Sequence, residues 1–296
     1  MKGFKDKTSG LINFADLKRL RFKMLYWLIF AILVIIIAVE VIPIIWVALS
    51  GFKTTAEMYS TPPTLFPKSI DLSIIPKVCS KVNFVNAFVN SGIIIIGCWA
   101  FDIFMNGILG YVLSRIKPYG SKLVSTLIFW SMLLPGVSMV PLFITFVDVP
   151  ILHVNMTGSF LPIWMMAGCN AFNVLLFRNF FNGIPMSYLE AARIDGCSEI
   201  VIFLRIIIPL SKPIIAVVSI FSVTGSWANF LWPYLLLGST NFEPVAVKLY
   251  QLSIDGNIQE NEFMLLTMLS IIPPGIMYCF FSKNIMGGLN MSGLKG

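Results

Sequence analysis

Six apolar runs, each long enough or nearly so to cross a bilayer as a helix, limit what this chain can fold into. They lie at Met24–Leu49, Ala87–Leu113, Leu123–Val147, Ser159–Phe177, Ile214–Leu237 and Phe263–Phe281. An apolar slab of about 30 Å takes about 20 helical residues. Irregular backbone cannot face lipid, because its polar groups find no partner there. With 57% hydrophobic residues, 25 Phe and a mean hydropathy of +0.86, a soluble fold of this size could not bury the apolar surface. The expected fold class is all-α, a polytopic membrane protein with six transmembrane helices. Pro43, Pro135, Pro141, Pro162, Pro233, Pro273 and Pro274 fall inside or near the ends of these runs. Neighbouring helices or hydroxyls can satisfy the carbonyls they free.

Lys and Arg set the orientation. With six spans, the side carrying both termini holds 16 of them, in residues 1–23, 114–122, 178–213 and 283–296; the other side holds 5. That bias places both termini in the cytoplasm of a multi-pass cell-membrane protein. The chain then divides into a basic cytoplasmic segment (1–23), a six-helix domain (24–282) and a cytoplasmic tail (283–296). The net charge of +7 is a topology signal rather than a mark of nucleic-acid binding, because no basic patch interleaves with aromatics. The first run is about twice the length of a secretory core and reads as an uncleaved helix. The five cysteines include no C-x-x-C pair, and only Cys79 falls outside, so no disulfide framework is expected. A single histidine, His153, excludes a multi-histidine metal site, and no metal site is expected.

One cytoplasmic loop, residues 179–213, carries more helix chemistry than a turn needs. In SYLEAARIDGCSEI, Ser187 and Glu190 have the spacing of a capping box, worth on the order of 1 kcal/mol. Gly196 reads as a left-handed C-terminal stop. Ser198 reads as the cap of a second segment, from Glu199 to Ile208, ending at Pro209. Tyr188, Ala191, Ala192 and Asp195 share one face of the first helix. Two alanines there admit another backbone closely, which suits a cytoplasmic partner; a helix resting on lipid headgroups is the alternative.

Glu190-Ala191-Ala192-Arg193-Ile194-Asp195-Gly196, followed by Ile206, Pro209 and Pro213, resembles the EAA loop of ABC importer permeases. FKTTAEMYSTPPTLFP, LSRIKPYGSKL, LLPGVSMVPLF, LLFRNFFNGIP, GSWANFLWP and the tail GLNMSGLKG extend the resemblance to the carbohydrate importers of the maltose MalG type. Cys197 stands where that family usually has Ala. Ala228-Asn229 replaces its usual Asn-Asp or Asn-Glu. The resemblance implies the type I ABC importer permease fold and a subunit forming half of a translocation path. It implies four kinds of partner: a second, MalF-like permease, a cytoplasmic ABC ATPase dimer, an extracytoplasmic solute-binding protein and a carbohydrate substrate within membrane lipid. Ser187, Tyr188, Glu190, Ala191, Ala192, Asp195 and Gly196 become the ATPase-coupling residues. The loop 238–262 would reach into the binding protein; otherwise it is a solvated connector. The tail would reach the ATPase dimer.

No G-x-x-x-x-G-K-[ST] phosphate loop is present, so ATP and Mg belong to the partner ATPase and this chain is not itself an enzyme. Glu40 and Asp102 lie within spans, where a charge costs about 2.5–3.5 kcal/mol in lipid. They line the path or bond helix to helix. Trp227 and Asn229 are further path candidates, and Trp46, Trp130, Trp164 and Trp232 could stack on sugar rings. Two other readings remain: an importer of a non-sugar solute, and a stand-alone secondary transporter or channel.

Overall fold

The computed structural model describes residues 20–292 except Pro63, Leu134, Pro135, Val137 and Ser239. The expectations for residues 1–19 and 293–296 lie outside the described residues. In chain order the elements are α1 (Leu20–Ser50), α2 (Thr55–Met58), α3 (Ile74–Lys81), α4 (Phe84–Phe101) and α5 (Gly107–Tyr111), then α6 (Ser121–Leu133), α7 (Met139–Val147), α8 (Leu161–Ala167) and α9 (Ala171–Asn182). They continue as α10 (Ser187–Ile194), α11 (Glu199–Ile202), α12 (Ile208–Leu210), α13 (Lys212–Ala228), α14 (Leu231–Leu237), α15 (Val245–Asp255) and α16 (Glu260–Ser292). Wide π-helical turns join α4 to α5 at Asp102–Asn106, follow α5 at Val112–Ile116, and join α11 to α12 at Phe203–Ile207. Among the described residues there is no β-strand, only an isolated bridge between Val149 and Val154.

Among the described residues, three helices are long and apolar enough to span a bilayer unbroken: Lys23–Ser50, Phe84–Ile116 and Glu260–Phe280. A fourth is formed if Glu199–Leu210 and Lys212–Ala228, bent by 80°, count as one. The other expected runs are interrupted. Leu123–Val147 is split between α6 and α7. Ser159–Phe177 breaks between α8 and α9, where Asn170 adopts extended backbone and its side chain accepts from Asn173 N to cap the new helix. Ile214–Leu237 breaks at Asn229, which is likewise extended, between α13 and α14. At Asn170 a polar residue stands where a continuous helix was expected, and its cap replaces a lost backbone bond; α7 and α14 begin without a side-chain cap bond. α16 stays helical through Pro273 and Pro274 and on to Ser292, into the segment read as a tail.

α1 is apolar on every side and its central window is not buried at all within this chain. A helix of that kind is stabilised by lipid or by another subunit, not by its own core. It packs chiefly on α16. The Phe84–Ile116 helix, by contrast, threads three buried clusters in succession. Phe84 and Ala87 pack with Val245, Leu265 and Leu266; Ile94 and Cys98 pack with Phe146, Ile163 and Leu237; Tyr111 packs with Phe177, Phe181, Leu189 and Ile207. Close approach makes the last cluster possible. A Cβ on Gly110 would fall 2.6 Å from the Phe177 Cβ and 3.1 Å from the Arg178 backbone nitrogen.

The segment 238–262 is neither a free loop nor a plain connector. It contains α15, with Val245 and Val247 buried. The Asn90 amide donates to the carbonyls of Asn241 and Glu243, and the Val245 N–H donates to the Ser91 hydroxyl. Gln251 donates to Glu243 and to the Gly238 carbonyl. Its exposed part is narrower than the sequence suggests, centred on Ser253–Asn257.

Candidate functional site

Two regions gather the residues that the sequence singles out. The first is α10 with its flanks. Pro185 precedes the helix, and Met186, already in the αR region, occupies the N-cap position and accepts from Leu189 N and Glu190 N. The expected Ser187–Glu190 capping box is therefore absent. Ser187 is the first helical residue, and a hydroxyl on a residue with helical φ/ψ cannot turn back to the N3 amide; that needs extended backbone. Glu190 still lies in the first turn, where a negative charge complements the helix dipole.

The other end is as expected. Gly196 has φ +77°, the Cys197 N–H donates to the Ala192 carbonyl, and the Gly196 N–H donates to the Arg193 carbonyl. These two bonds make a Schellman stop, with Asp195 as the C-cap.

Burial divides the helix into two sides. Leu189 is fully buried and Ala192 nearly so, both within the Tyr111–Phe181 cluster. Ala192 thus faces its own chain, a correction to its expected place on the partner face, because it lies three residues after the anchoring Leu189. Tyr188, Glu190, Ala191 and Asp195 are exposed, as are Ile194 at 86% and Ile200 at 71%. Both isoleucines present apolar side chains outward.

Ser198 has N-cap backbone geometry but makes no side-chain cap bond. The helix that follows does not end at Pro209; it runs to Leu210 through the Phe203–Ile207 π turn. Pro209 lacks an N–H, and its ring would crowd the preceding turn of a regular helix; the wide π turn relieves both. The sharp 80° bend comes at Ser211 instead.

Side chains from the Phe84–Ile116 helix reach this region. The Arg115 guanidinium donates to the carbonyls of Phe181 and Ile184, at the end of α9 just before α10. The Tyr111 hydroxyl donates to Glu199 at 2.7 Å, and Glu199 also accepts from Arg193 of α10 at 2.8 Å. The Glu199 carboxylate raises the pKa of Arg193.

The second region is a cavity of about 290 Å³ between α4, α8, α9, α13 and α14, lined by Asp102, Asn170, Asn173, Ser222, Asn229 and Trp232 among others. Asp102 is 2% exposed; it accepts from Asn106 at 2.6 Å and from Asn173 at 2.9 and 2.8 Å. Asn106 further donates to the Ala167 carbonyl and accepts from Asn170 N. Asp102 thus bonds helix to helix at the cavity wall. The Asn173 carbonyl oxygen is buried without a partner.

Asn229 lines this cavity and a smaller one of about 120 Å³ that includes Trp227. Trp227 packs against Phe88. Glu40 stands apart, exposed on α1. Trp46 is taken up by Lys53, whose ammonium lies 4.3 Å from its ring centre. Trp164 fills the space beside Gly97, and Trp130 is exposed. Tyr111, Asn106 and Asn173 belong to no motif in the sequence. Amides within an apolar run were the available signal, since buried polar groups need partners.

Residues 106–285, which hold α10 and most of the cavity wall, match the family described as binding-protein-dependent transport system inner membrane component. The arabinooligosaccharides transport system permease protein AraQ of Bacillus subtilis is 32% identical over 270 residues, covering 86% of this chain and 90% of that protein. The polygalacturonan/rhamnogalacturonan transport system permease protein YtcP of the same organism is 27% identical, covering 91% of this chain and 97% of that protein. In fold, the chain resembles one chain of a bacterial ABC transporter involved in the import of the acidic polysaccharide alginate. The TM-score is 0.79 at 23% identity, covering 93% of this chain and 99% of that one. On this evidence the chain belongs to the family of binding-protein-dependent transport system inner membrane components.

Proposed function

We propose that this chain is one permease subunit of an ATP-driven, binding-protein-dependent importer of an oligosaccharide. It spans the membrane six times with both termini cytoplasmic. A second permease completes the path, a separate ATPase dimer binds ATP and Mg, and an external binding protein delivers the sugar. The exposed residues Tyr188, Glu190, Ala191 and Asp195, with Gly196 ending the helix, meet the ATPase; Ser187 begins the helix and Ala192 anchors it. Asp102, Asn229 and Trp227 belong to the path or its walls. Glu40, on the exposed α1, faces the second permease rather than lipid, where its charge would be costly. The exposed segment Ser253–Asn257, the end of α15 and the two residues after it, faces the binding protein.

One observation carries this reading: a short helix fixed on one side by Leu189 and Ala192 and closed by a Schellman stop, with its other side open. Such a helix is a rigid lug on the bundle. The oligosaccharide substrate is supported by the relatives, two of which are named for transport of arabinooligosaccharides and of polygalacturonan/rhamnogalacturonan. Asparagine and serine side chains beside Trp232 in the cavity suit hydroxyl-rich ligands.

The test is co-expression with a candidate ATPase, second permease and binding protein, followed by reconstitution in liposomes. ATP-dependent uptake of labelled oligosaccharide that also requires the binding protein is expected. Uptake by this chain alone, without ATP, would sink the proposal.

A further inference from the structure

The Phe84–Ile116 helix touches both functional regions, and the role of that connection is not part of the import reading. Asp102 stands in its first π turn, at the cavity wall, and Arg115 in its second, beside α10. Thirteen residues of helix separate them, about 20 Å at the usual rise. Between them lies Tyr111, 3% exposed, with its ring against Phe181 of the helix before α10 and against Phe203 of the segment after it.

The grip on α10 is therefore two-sided. Ahead of α10, Arg115 ties the carbonyls of Phe181, in the last turn of α9, and Ile184, in the link that follows. Behind α10, Tyr111 ties Glu199, which in turn holds Arg193. A planar guanidinium can bridge two acceptors in fixed geometry, where an ammonium would make only point contacts. The Met186 sulfur, at the start of α10, also lies 3.5 Å from Arg115.

We propose that Arg115 and Tyr111 are positioning residues that lock α10 to the second span as one rigid body. Displacement imposed on α10 by the ATPase then reaches the Asp102 end of that span directly. The proposal rests on the import reading for its purpose. Its geometric core, a fixed relation between α10 and the end of the span, stands on the contacts themselves. The Asp102–Asn106 π turn is where such a displacement would be absorbed, since π turns interrupt regular helix bonding and recur at functional sites.

The experiment places spin labels at Ile194→Cys and Ile116→Cys, both exposed, in the full chain with its native cysteines replaced. Distances are measured in the assembled complex, with and without ATP and Mg. A narrow distribution, unchanged between the two states, is expected. In Tyr111→Phe and in Arg115→Gln the distribution should broaden. In both variants the ATPase should still co-purify, but uptake per ATP hydrolysed should fall several-fold.

A wild-type distance that shifts by more than about 5 Å, one helical turn, when ATP binds would overturn the proposal. So would variants that keep both the wild-type distribution and the wild-type uptake per ATP. Tyr111→Phe loses one hydroxyl and keeps the ring packing, so a folding failure of Arg115→Gln leaves a decisive variant. Failure of the import reading would appear separately, as absent uptake in the wild type; the label distance needs no transport and is read regardless.

Discussion

Asp102 and Asn173, 71 residues apart in the chain, meet with the Asn173 amide nitrogen 2.9 and 2.8 Å from the two carboxylate oxygens of Asp102. Both side chains are 2% exposed. A buried carboxylate that loses a donor retains its desolvation cost, about 1–3 kcal/mol or more for a charged group. Asn173→Ala is therefore expected to lower the thermal unfolding temperature of the purified complex clearly. Asp102→Asn in the same background should recover part of the loss, because a neutral amide is cheaper to bury. A single variant as stable as wild type would show that this contact does not hold α9 to the second span.

The two ends of α10 differ in sensitivity. Ser187 caps nothing, so Ser187→Ala should change stability by no more than about 0.5 kcal/mol and leave binding-protein-stimulated ATP hydrolysis unaltered. Gly196, at φ +77°, meets no other group within 4 Å, so strain rather than a clash within the chain decides its replacement. Gly196→Val should cost about 1–2 kcal/mol and depress stimulated hydrolysis and uptake together. Gly196→Asn should be milder, since Asn tolerates the left-handed region. Full stimulated hydrolysis in Gly196→Val would remove this helix from the coupling path.

A capping box does exist in the chain, on α2. Thr54 accepts from Glu57 N, and Glu57 accepts from Thr54 N at 2.9 Å and from Lys68 N at 3.2 Å. The Thr54 backbone bond, followed by that of Lys68, holds the Glu57 carboxyl below its usual pKa despite burial acting against it. A depressed folded-state pKa gives stability that is present above the unfolded value and lost as pH falls through the folded one. Amide protection over residues 54–68 should therefore fall on acidification below the ordinary carboxylate range. Glu57→Gln should have lower protection at neutral pH and little further response to acid. Equal acid response in both proteins would assign the effect to another group.

Orientation can be read by labelling, but not with the native cysteine expected outside. Cys79 is buried, and burial pushes its thiol pKa up, so it is a poor target. Introduced cysteines at Ile151 and Ile194, 94% and 86% exposed, serve instead. A membrane-impermeant maleimide should modify Ile151→Cys in intact cells and reach Ile194→Cys only after the membrane is opened. The reverse pattern would invert the whole topology.

Periodicity and composition determined that the chain is helical and membrane-bound, because burying so much apolar surface leaves no other solvent. The motif around Glu190 located the protruding helix, and Gly196 marked its end, since a left-handed stop is a local property of one residue's backbone. What tertiary structure decided was which side of that helix is open. The position of Leu189 over the Tyr111–Phe181 cluster turned Ala192 inward, and no local rule reports that. It also decided where helices break. Asn170 and Asn229 interrupt runs that hydropathy reads as continuous; Asn170 replaces a helical bond with its side-chain cap, while at Asn229 the backbone turns extended and the next helix starts without one. The ties from Arg115 and Tyr111 to a loop more than sixty residues away were beyond sequence reading altogether, because a hydrogen bond between distant segments exists only once packing has brought them together.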